Sequence, residues 1–436
     1  MKNLIVEVTS RCNLSCPMCL RHSWKDAEGD MDPNTFRSLL ECSAALESLN
    51  LTGYGEPFLH PGLIEMIRLA RGSLPARTRI YLTSNGTLLD TETVRDAVEA
   101  GLDGITLSMD SLDPDAFQWI RGGASLSTVT RCLDELAAAR ERAPGTSFSV
   151  GISTVVMERN VRELPDLVRF AAEHRARAVW VNNLLPYTEQ MAGEVLYERH
   201  SDHVMSLFST ALEALRNLGV NDGNLRALVG GLFSLQGSGA SSSGSVPLPG
   251  KDLVLRLAKE LSSVNISMGG IQETMLKFLE RDASQVVRSS DIFRRAQEIA
   301  AGAGIELHLP LLIPRAKREC DFVRNETCFV TWDGWVRPCN QLSHEYGCFH
   351  NGRPKTVQSV SFGKLPEEGL DAVWRSCVYS DFREKVAEFP FSPCGDCGLS
   401  DGCGYVAPEG DFLCDCNMCE QPCGDCLWSR GVLQCP

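Results

Sequence analysis

The sequence predicts an α/β fold in which a partial barrel of six strand–helix units precedes a loop-rich C-terminal part. Two observations predict it. Six strand-like runs alternate with amphipathic segments over residues 1–195, which indicates a parallel sheet with helices outside it. Beyond Pro314 the periodicity fades, and fourteen of the 19 cysteines follow residue 300. Residues that follow the strands of such a barrel form its ligand face.

The individual elements follow from apolar periodicity. The strand-like runs are Leu4–Val8, Leu46–Leu51, Arg79–Thr83, Gly104–Ser108, Phe148–Val155 and Ala178–Asn182. The segments with helical spacing between them are Asn34–Leu46, Gly62–Arg71, Glu92–Ala100, Leu126–Arg140 and Val161–His174. Asp32 is placed to cap the first helix, and Pro33 stands in its first turn.

We expect three parts in the chain: the barrel at 1–195, a helical connecting region at 196–315 and a cysteine-rich domain at 316–436. Helical patterns near His203–Leu218 and Asp252–Ser262 flank a Gly/Ser-rich stretch at 236–250. Its composition predicts a flexible surface loop without chemistry, and a mobile substrate lid is the alternative.

Composition excludes several classes of protein. The chain has 436 residues, 43% of them hydrophobic, and a net charge of -14. This charge argues against a broad nucleic-acid or anionic-membrane surface. We find neither a secretory signal nor an apolar run of about 18 residues, so we expect a cytoplasmic protein. In a reducing compartment, clustered cysteines are more often metal ligands than disulfides.

Three thiols directly follow the first strand, in the run Cys12-x3-Cys16-x2-Cys19. Three is one short of a closed site, whereas a cluster of four irons takes four ligands. Three protein thiolates therefore leave one iron open for a small molecule. The alternative is a zinc site that His22 completes.

Polar motifs follow the next strands. GYGEP comes after the second strand, SNG after the third, and SMD after the fourth; glycines there expose backbone to a ligand, and Glu56 offers an acceptor for an ammonium group. The candidate cofactor-binding residues are Gly53, Tyr54, Gly55, Glu56, Pro57, Ser84, Asn85, Ser108, Asp110 and Ser153.

This order of motifs resembles the radical S-adenosylmethionine (SAM) superfamily, whose fold is a partial (β/α)6 TIM-like barrel. The resemblance implies that Cys12, Cys16 and Cys19 bind a [4Fe-4S] cluster. S-adenosylmethionine would bind the open iron through its amino and carboxylate groups. An electron would then cleave it to methionine and a 5′-deoxyadenosyl radical, which abstracts hydrogen from an unactivated C–H bond. Met18 replaces the aromatic residue that the family often has there.

The C-terminal thiols resemble the SPASM extension of these enzymes, an iron-sulfur domain with two auxiliary [4Fe-4S] clusters. Where that pattern has its next cysteine this chain has Ala407, so either an iron is open or a tail thiol closes the cluster. Twelve thiols could ligate three clusters; two clusters with a zinc ion, or with spare thiols, are the alternatives. They are Cys320, Cys328, Cys339, Cys394, Cys397, Cys403, Cys414, Cys416, Cys419, Cys423, Cys426 and Cys435.

The ending CGDCLWSRGVLQCP resembles SPASM proteins thought to mature tungsten-containing oxidoreductases. The substrate is expected to be a peptide, a protein or a cofactor precursor, and the reductant a ferredoxin or flavodoxin. The alternatives are a maturase of ribosomal peptides and a non-catalytic electron-transfer or metal-delivery protein. The sequence identifies no catalytic acid or base. We interpret the remaining thiols as structural: Cys42, Cys132, Cys348 and Cys377.

Overall fold

The structure is a computed structural model. It describes residues 1–24, 26–41, 46–142, 148–219, 256, 259, 284–350, 353–397, 403–405 and 413–434. Three features that the sequence singles out lie outside these ranges: the Gly/Ser-rich stretch at 236–250, most of the helical pattern at 252–262, and the thiols of Cys42 and Cys435.

Six parallel strands form the centre of one large sheet, in the order in which they occur in the chain. They are β1 (Asn3–Val6), β2 (Ser48–Asn50), β3 (Arg79–Ser84), β4 (Gly104–Ser108), β5 (Ser149–Val156) and β6 (Ala178–Asn183). The helices between them are α1 (Pro33–Leu40), α2 (Leu63–Ser73), α3 (Thr91–Glu99), α4 (Pro114–Ile120), α5 (Leu126–Arg142) and α6 (Leu164–Glu173). The predicted α/β class with a partial barrel is confirmed.

Local chemistry explains the helix that was predicted with its cap. The Asp32 side chain accepts hydrogen bonds from the amides of Asn34 and Thr35, and Pro33 occupies the first turn. The helix is shorter than predicted, however, because it ends at Leu40 rather than at residue 46. The sequence also did not predict α4, a seven-residue helix that Asp113 caps.

The two faces of the barrel differ sharply in polarity. Alternate side chains of a strand point to opposite faces, and the outward residues, such as Leu49, Ile80 and Ile152, are completely buried under the helices. The inward residues are largely polar, and they bound a cavity of about 830 Å³ with Asn50 and Thr106 in its wall. A closed barrel of this kind fills its interior with Val, Ile and Leu. The polar, unfilled interior therefore leaves room for a polar molecule.

The connecting region adds three helices and one strand: α7 (Glu189–Ala192), α8 (Asp202–Asn217), α9 (Ser284–Ala303) and β7 (Glu306–His308). Helix α9 packs against α6, and β7 extends the sheet in parallel beside β6. No helix in the described ranges is both long and apolar enough to cross a lipid bilayer.

The C-terminal part is loop-rich, as predicted, yet it shares the sheet of the barrel. Its elements are α10 (Asp321–Arg324), β8 (Thr327–Val330), β9 (Trp335–Arg337), β10 (Tyr346–His350), β11 (Arg353–Val357), β12 (Gly363–Lys364), α11 (Leu370–Arg375) and α12 (Cys377–Glu388). Strand β8 pairs in parallel with β1, which sets Cys328 opposite Leu4, and β9 and β12 extend that edge. Strands β10 and β11 form a separate hairpin.

Candidate active site

A cavity of about 350 Å³ lies where the carboxyl ends of the parallel strands meet. Most of the residues that were predicted to bind the cofactor line it together. They are Cys12, Cys16, Cys19, Gly53, Tyr54, Gly55, Glu56, Ser84, Asn85, Ser108 and Ser153. Two predicted residues, Pro57 and Asp110, do not line it. Thr83, Ser153, Asn182 and Gln434 line both this cavity and the larger one inside the barrel, so the two spaces adjoin.

Backbone contacts hold the loop that carries the three thiols. The amide of Ser15 donates a hydrogen bond to the carbonyl of Gly122 at 3.2 Å. The amide of Glu56 donates one to the carbonyl of Arg11 at 2.8 Å. Gly122 has a φ of 44°, and a Cβ there would lie 2.2 Å from the Ser15 carbonyl oxygen. Only glycine permits so close an approach. The loop is thus fixed from two sides before any ligand binds.

The thiols themselves are in a low-dielectric environment. Burial raises the pKa of Cys16, and it raises the pKa of Cys19 to about 11. Without a bound cation these groups are neutral at pH 7. A coordinating metal deprotonates a thiol outright. The positive charge of bound iron would therefore offset the cost of burying the Cys16 and Cys19 thiolates.

Glu56 ties the glycine-rich loop to the end of β3. Its carboxylate is 2% exposed and accepts hydrogen bonds from the Ser84 hydroxyl at 2.8 Å, the Asn85 amide at 2.7 Å and the Phe58 amide at 3.2 Å. Burial raises its pKa. Each carboxylate oxygen has two acceptor positions, so Oε2, which accepts from Asn85, keeps one for a further donor. This geometry is compatible with the predicted ammonium contact.

The sequence reasoning missed Arg121. Its guanidinium lines the cavity, forms an ion pair with the buried Asp110 carboxylate and lies beside the Cys16 thiol. Burial alone would lower the pKa of Arg121, but the charges of Asp110 and Cys16 and the hydrogen bonds to them together raise it above its ordinary value. Asp110 also accepts from the Val155 amide at 2.7 Å, which explains why it points away from the cavity. A cation that lines the cavity is thereby held in place.

A buried histidine links the barrel to the C-terminal part. The ring of His344 contacts the Glu7 carboxylate at 3.0 Å through Nε2 and the Asp26 carboxylate at 2.8 Å through Nδ1. Glu7 follows β1 and also accepts from the Tyr54 amide at 3.0 Å, while the Tyr54 hydroxyl donates to the carbonyl of Asn340 at 3.0 Å. The network therefore connects the glycine-rich loop with the segment that follows Cys339.

The thiols around β8 contact two apolar clusters, and Cys320 packs against both of them. Cys320 and Cys339 pack against the cluster of Ile5, Phe322 and Phe329 on the inner face. Cys328 lies beside Leu4 in the outer core, is fully buried and contacts Tyr379. The joint ligation of one cluster by Cys320, Cys328 and Cys339 stays a prediction.

The other thiols in the described ranges are on the tail and its neighbours. Cys394–Asp396 and Pro422–Asp425 form short 3-10 turns that each place two thiols three residues apart. Cys419 is buried, Cys416 is exposed, and Cys397, Cys403 and Cys414 are half-buried. Of the thiols interpreted as structural, Cys132 and Cys348 are buried and Cys377 is exposed.

A site for a single metal ion is the alternative use of clustered thiols. No group of three or more His, Cys, Asp or Glu side chains in the described ranges is arranged to hold one. This includes Cys12, Cys16, Cys19 and His22, the alternative zinc site. A four-iron cluster takes one thiolate per iron and so spreads its ligands more widely than a tetrahedral ion does. This finding concerns sites for a single ion only.

The His344 network predicts a pH-dependent stability. Burial lowers the pKa of His344, but hydrogen bonds and charges from Glu7 and then Asp26 outweigh it and raise the pKa above its ordinary value. The folded protein then binds the proton more tightly than the unfolded chain, so this stabilisation is complete at low pH and disappears as the pH rises through the folded-state pKa. Thermal unfolding between pH 5.5 and 8.5 should show this loss, and His344→Gln should flatten it.

The matched control is His203→Gln, which removes an exposed imidazole. It should leave the pH dependence of the wild-type protein unchanged. An identical pH dependence in the wild type and in His344→Gln would contradict the interpretation of the network.

Comparisons with known proteins agree with this geometry. Residues 6–171 match the radical SAM superfamily, and residues 320–398 match SPASM, an iron-sulfur cluster-binding domain. A tungsten-containing aldehyde ferredoxin oxidoreductase cofactor-modifying protein of Pyrococcus furiosus is 28% identical over 440 residues, covering 100% of this chain and 97% of that protein.

Two further proteins are similar, one over a smaller part of the chain and one at a lower sequence identity. A GTP 3′,8-cyclase of Chlorobaculum tepidum is 35% identical over 172 residues, which is 39% of this chain and 49% of the cyclase. The crystal structure of anSMEcpe with bound AdoMet has a TM-score of 0.50 at 15% identity, covers 96% of this chain and 94% of that one, and shows the shared fold. The chain therefore contains a match to the radical SAM superfamily at residues 6–171 and a match to the SPASM iron-sulfur cluster-binding domain at residues 320–398.

Proposed function

We propose that this protein is a radical SAM enzyme that modifies a cofactor precursor during maturation of a tungsten-containing oxidoreductase. The observation that carries the proposal is the junction of two spaces: a thiol-lined cavity at the strand ends and a larger polar cavity inside the barrel. Similarity along the whole chain to a protein named as cofactor-modifying supports the choice of substrate.

In this proposal Cys12, Cys16 and Cys19 hold a [4Fe-4S] cluster and leave one iron for S-adenosylmethionine. The glycine-rich loop, Ser84, Asn85, Ser108 and Ser153 bind the amino-acid and nucleoside parts of that cofactor. Arg121 binds its carboxylate, since a guanidinium that faces a cavity is well suited to bidentate recognition of a carboxylate. Pro57 and Asp110 act indirectly, through the loop and through Arg121.

When bound, the cluster and S-adenosylmethionine supply reductive cleavage of the sulfonium C–S bond and, through it, abstraction of a hydrogen atom from a C–H bond. The chain itself positions the reacting groups and keeps water out of the cavity. Leu14, Met18, Leu184, Leu185 and Leu433 line the cavity and exclude water from it. A ferredoxin or flavodoxin is the proposed reductant, and the SPASM domain holds two or three auxiliary clusters.

The larger cavity is the proposed place of the substrate. Its volume of about 830 Å³ lies within the usual range for cofactor and small-molecule sites. Asn50, Thr106 and Ser149 offer amide and hydroxyl groups, and Tyr81 and Trp180 offer aromatic faces. Such a lining suits a compact polar molecule better than an extended peptide. The similarity of residues in the barrel to proteins named as GTP cyclases points the same way.

Replacement of one thiol of the Cys12–Cys19 loop tests which substrate the enzyme modifies. The cofactor of a tungsten-containing oxidoreductase should be released from cells that carry the wild-type protein or Cys16→Ala, and compared by mass spectrometry. A mass difference in the cofactor supports the proposal. An unchanged cofactor together with a mass shift in a peptide would replace it with peptide maturation, and 5′-deoxyadenosine formation without Cys16 would contradict radical chemistry itself.

Gly122 allows a sharp test of the loop geometry. Gly122→Ala should disrupt the thiol loop, because the added Cβ meets the Ser15 carbonyl at 2.2 Å. Gly123→Ala is the matched control: its φ is also positive, at 110°, but no atom lies within 4 Å of the added Cβ. We expect Gly122→Ala to lose most of the 5′-deoxyadenosine formation and Gly123→Ala to retain it at a cost of about 1–2 kcal/mol in stability. Equal effects of the two substitutions would contradict the close approach.

Arg121 is tested by a conservative substitution. Arg121→Lys keeps a positive charge beside Asp110 but loses the planar fork that binds a carboxylate through two hydrogen bonds. The Kd for S-adenosylmethionine, measured by equilibrium dialysis, should rise about tenfold, which corresponds to about 1.4 kcal/mol. The iron content should stay unchanged. An unaltered Kd would show that Arg121 does not bind the cofactor.

A further inference from the structure

The C-terminal part contains the same five residues twice. PCGDC occurs at 393–397 and again at 422–426. In both copies a 3-10 turn presents the two thiols, and the amide of the second cysteine donates to the carbonyl of the first at 3.2 Å. The thiol loop of the radical site has the same turn, in which the Cys19 amide donates to Cys16 at 2.9 Å. The tail therefore carries a second copy of a turn that presents a pair of thiols.

Buried ion pairs hold both copies. Asp396 of the first copy pairs with Arg430 at 3.0 Å and accepts from the Ser201 amide at 2.7 Å. Asp425 of the second copy pairs with Lys355 at 3.1 Å, and both side chains are at most 3% exposed. Removal of either cation would leave a buried and uncompensated carboxylate, which is strongly destabilising. The turns are thus rigidly placed.

The second copy faces the inner side of the sheet, where Cys320 and Cys339 lie. Cys423 and Cys339 pack against the same apolar cluster around Leu20 and Tyr346. The amide of Glu319 donates to the carbonyl of Ser429 at 2.9 Å, which brings Cys320 beside the second turn.

The packing around Cys339 agrees with this placement. Cys339 shares the apolar cluster around Ile5 with Cys320, and it shares the cluster around Leu20 and Tyr346 with Cys423. Cys328, by contrast, stands on the outer face of the sheet beside Leu4.

We propose that Cys423 and Cys426 of the repeated motif complete, with Cys320 and Cys339, a closed four-thiolate site for one auxiliary cluster. Cys423 and Cys426 thus replace the cysteine that the SPASM pattern has at the position of Ala407. Cys328 is not a ligand. This assignment rests on the iron-sulfur part of the proposed function and is independent of the substrate. It uses four thiols and leaves Cys394, Cys397, Cys403, Cys414, Cys416, Cys419 and Cys435 for the rest of the domain.

Iron content tests the assignment. Full-length protein, its Cys423→Ala/Cys426→Ala variant and its Cys328→Ala variant should be reconstituted anaerobically and analysed for iron per chain. The double variant should lose about four irons, the content of one cluster, and Cys328→Ala should lose none. Formation of 5′-deoxyadenosine from S-adenosylmethionine reports whether the radical site is intact, so that loss of this cluster is distinguished from failure of the proposed chemistry.

A second measurement uses the unaltered protein, in case the double variant does not fold. The protein should be alkylated with iodoacetamide before and after removal of its iron, and the modified cysteines identified by mass spectrometry. Cys320, Cys339, Cys423 and Cys426 should become reactive together when iron is removed. Unchanged iron in the double variant, an equal loss in Cys328→Ala, or labelling of Cys423 and Cys426 that does not depend on iron would overturn the proposal.

Discussion

The pairing of β8 with β1 is the constraint on which the arrangement of the two thiol-rich regions depends. β1 leads directly into the Cys12–Cys19 loop, and β8 lies between Cys320 and Cys339. Once these strands pair, the Cys12–Cys19 loop and the first C-terminal thiols must be neighbours. Glu7, at the end of β1, then meets His344 of the C-terminal part. Tyr54 lies between the two sites: it lines the cavity and hydrogen-bonds to Asn340.

Buried cations lie beside two groups of thiols in the described part of the chain. Arg121 lies beside Cys16. Lys355 lies near Cys394, Cys423 and Cys426, where its charge opposes the rise in pKa that burial causes. Replacement of buried ion pairs by apolar residues is often neutral or stabilising, so these pairs are weak evidence for a role in stability. Their placement beside thiols suggests another use. A cubane held by thiolates carries negative charge, and nearby cations tune its potential.

The sequence predicts the barrel and most of the cofactor cavity because the relevant signals are local. Each strand ends in its own motif, and the topology of a parallel sheet brings those ends together. Arg121 was missed because it ends a short helix rather than a strand, although the two glycines after it indicate a close backbone approach. The face of the sheet on which Cys328 lies could not be predicted, because cysteine spacing does not report it. The β8–β1 pairing joins residues more than 300 positions apart, and four residues of strand carry no signal of their partner. The repeat of PCGDC, by contrast, is visible in the sequence itself.

The central claim is that the Cys12–Cys19 loop holds a cluster with one iron open to S-adenosylmethionine. Electron paramagnetic resonance of the dithionite-reduced protein, recorded with and without S-adenosylmethionine, tests it most directly. The account predicts that the cofactor changes one cluster signal and that this signal is absent from Cys16→Ala. Spectra that are identical with and without the cofactor, in protein that contains its full iron, would contradict the account.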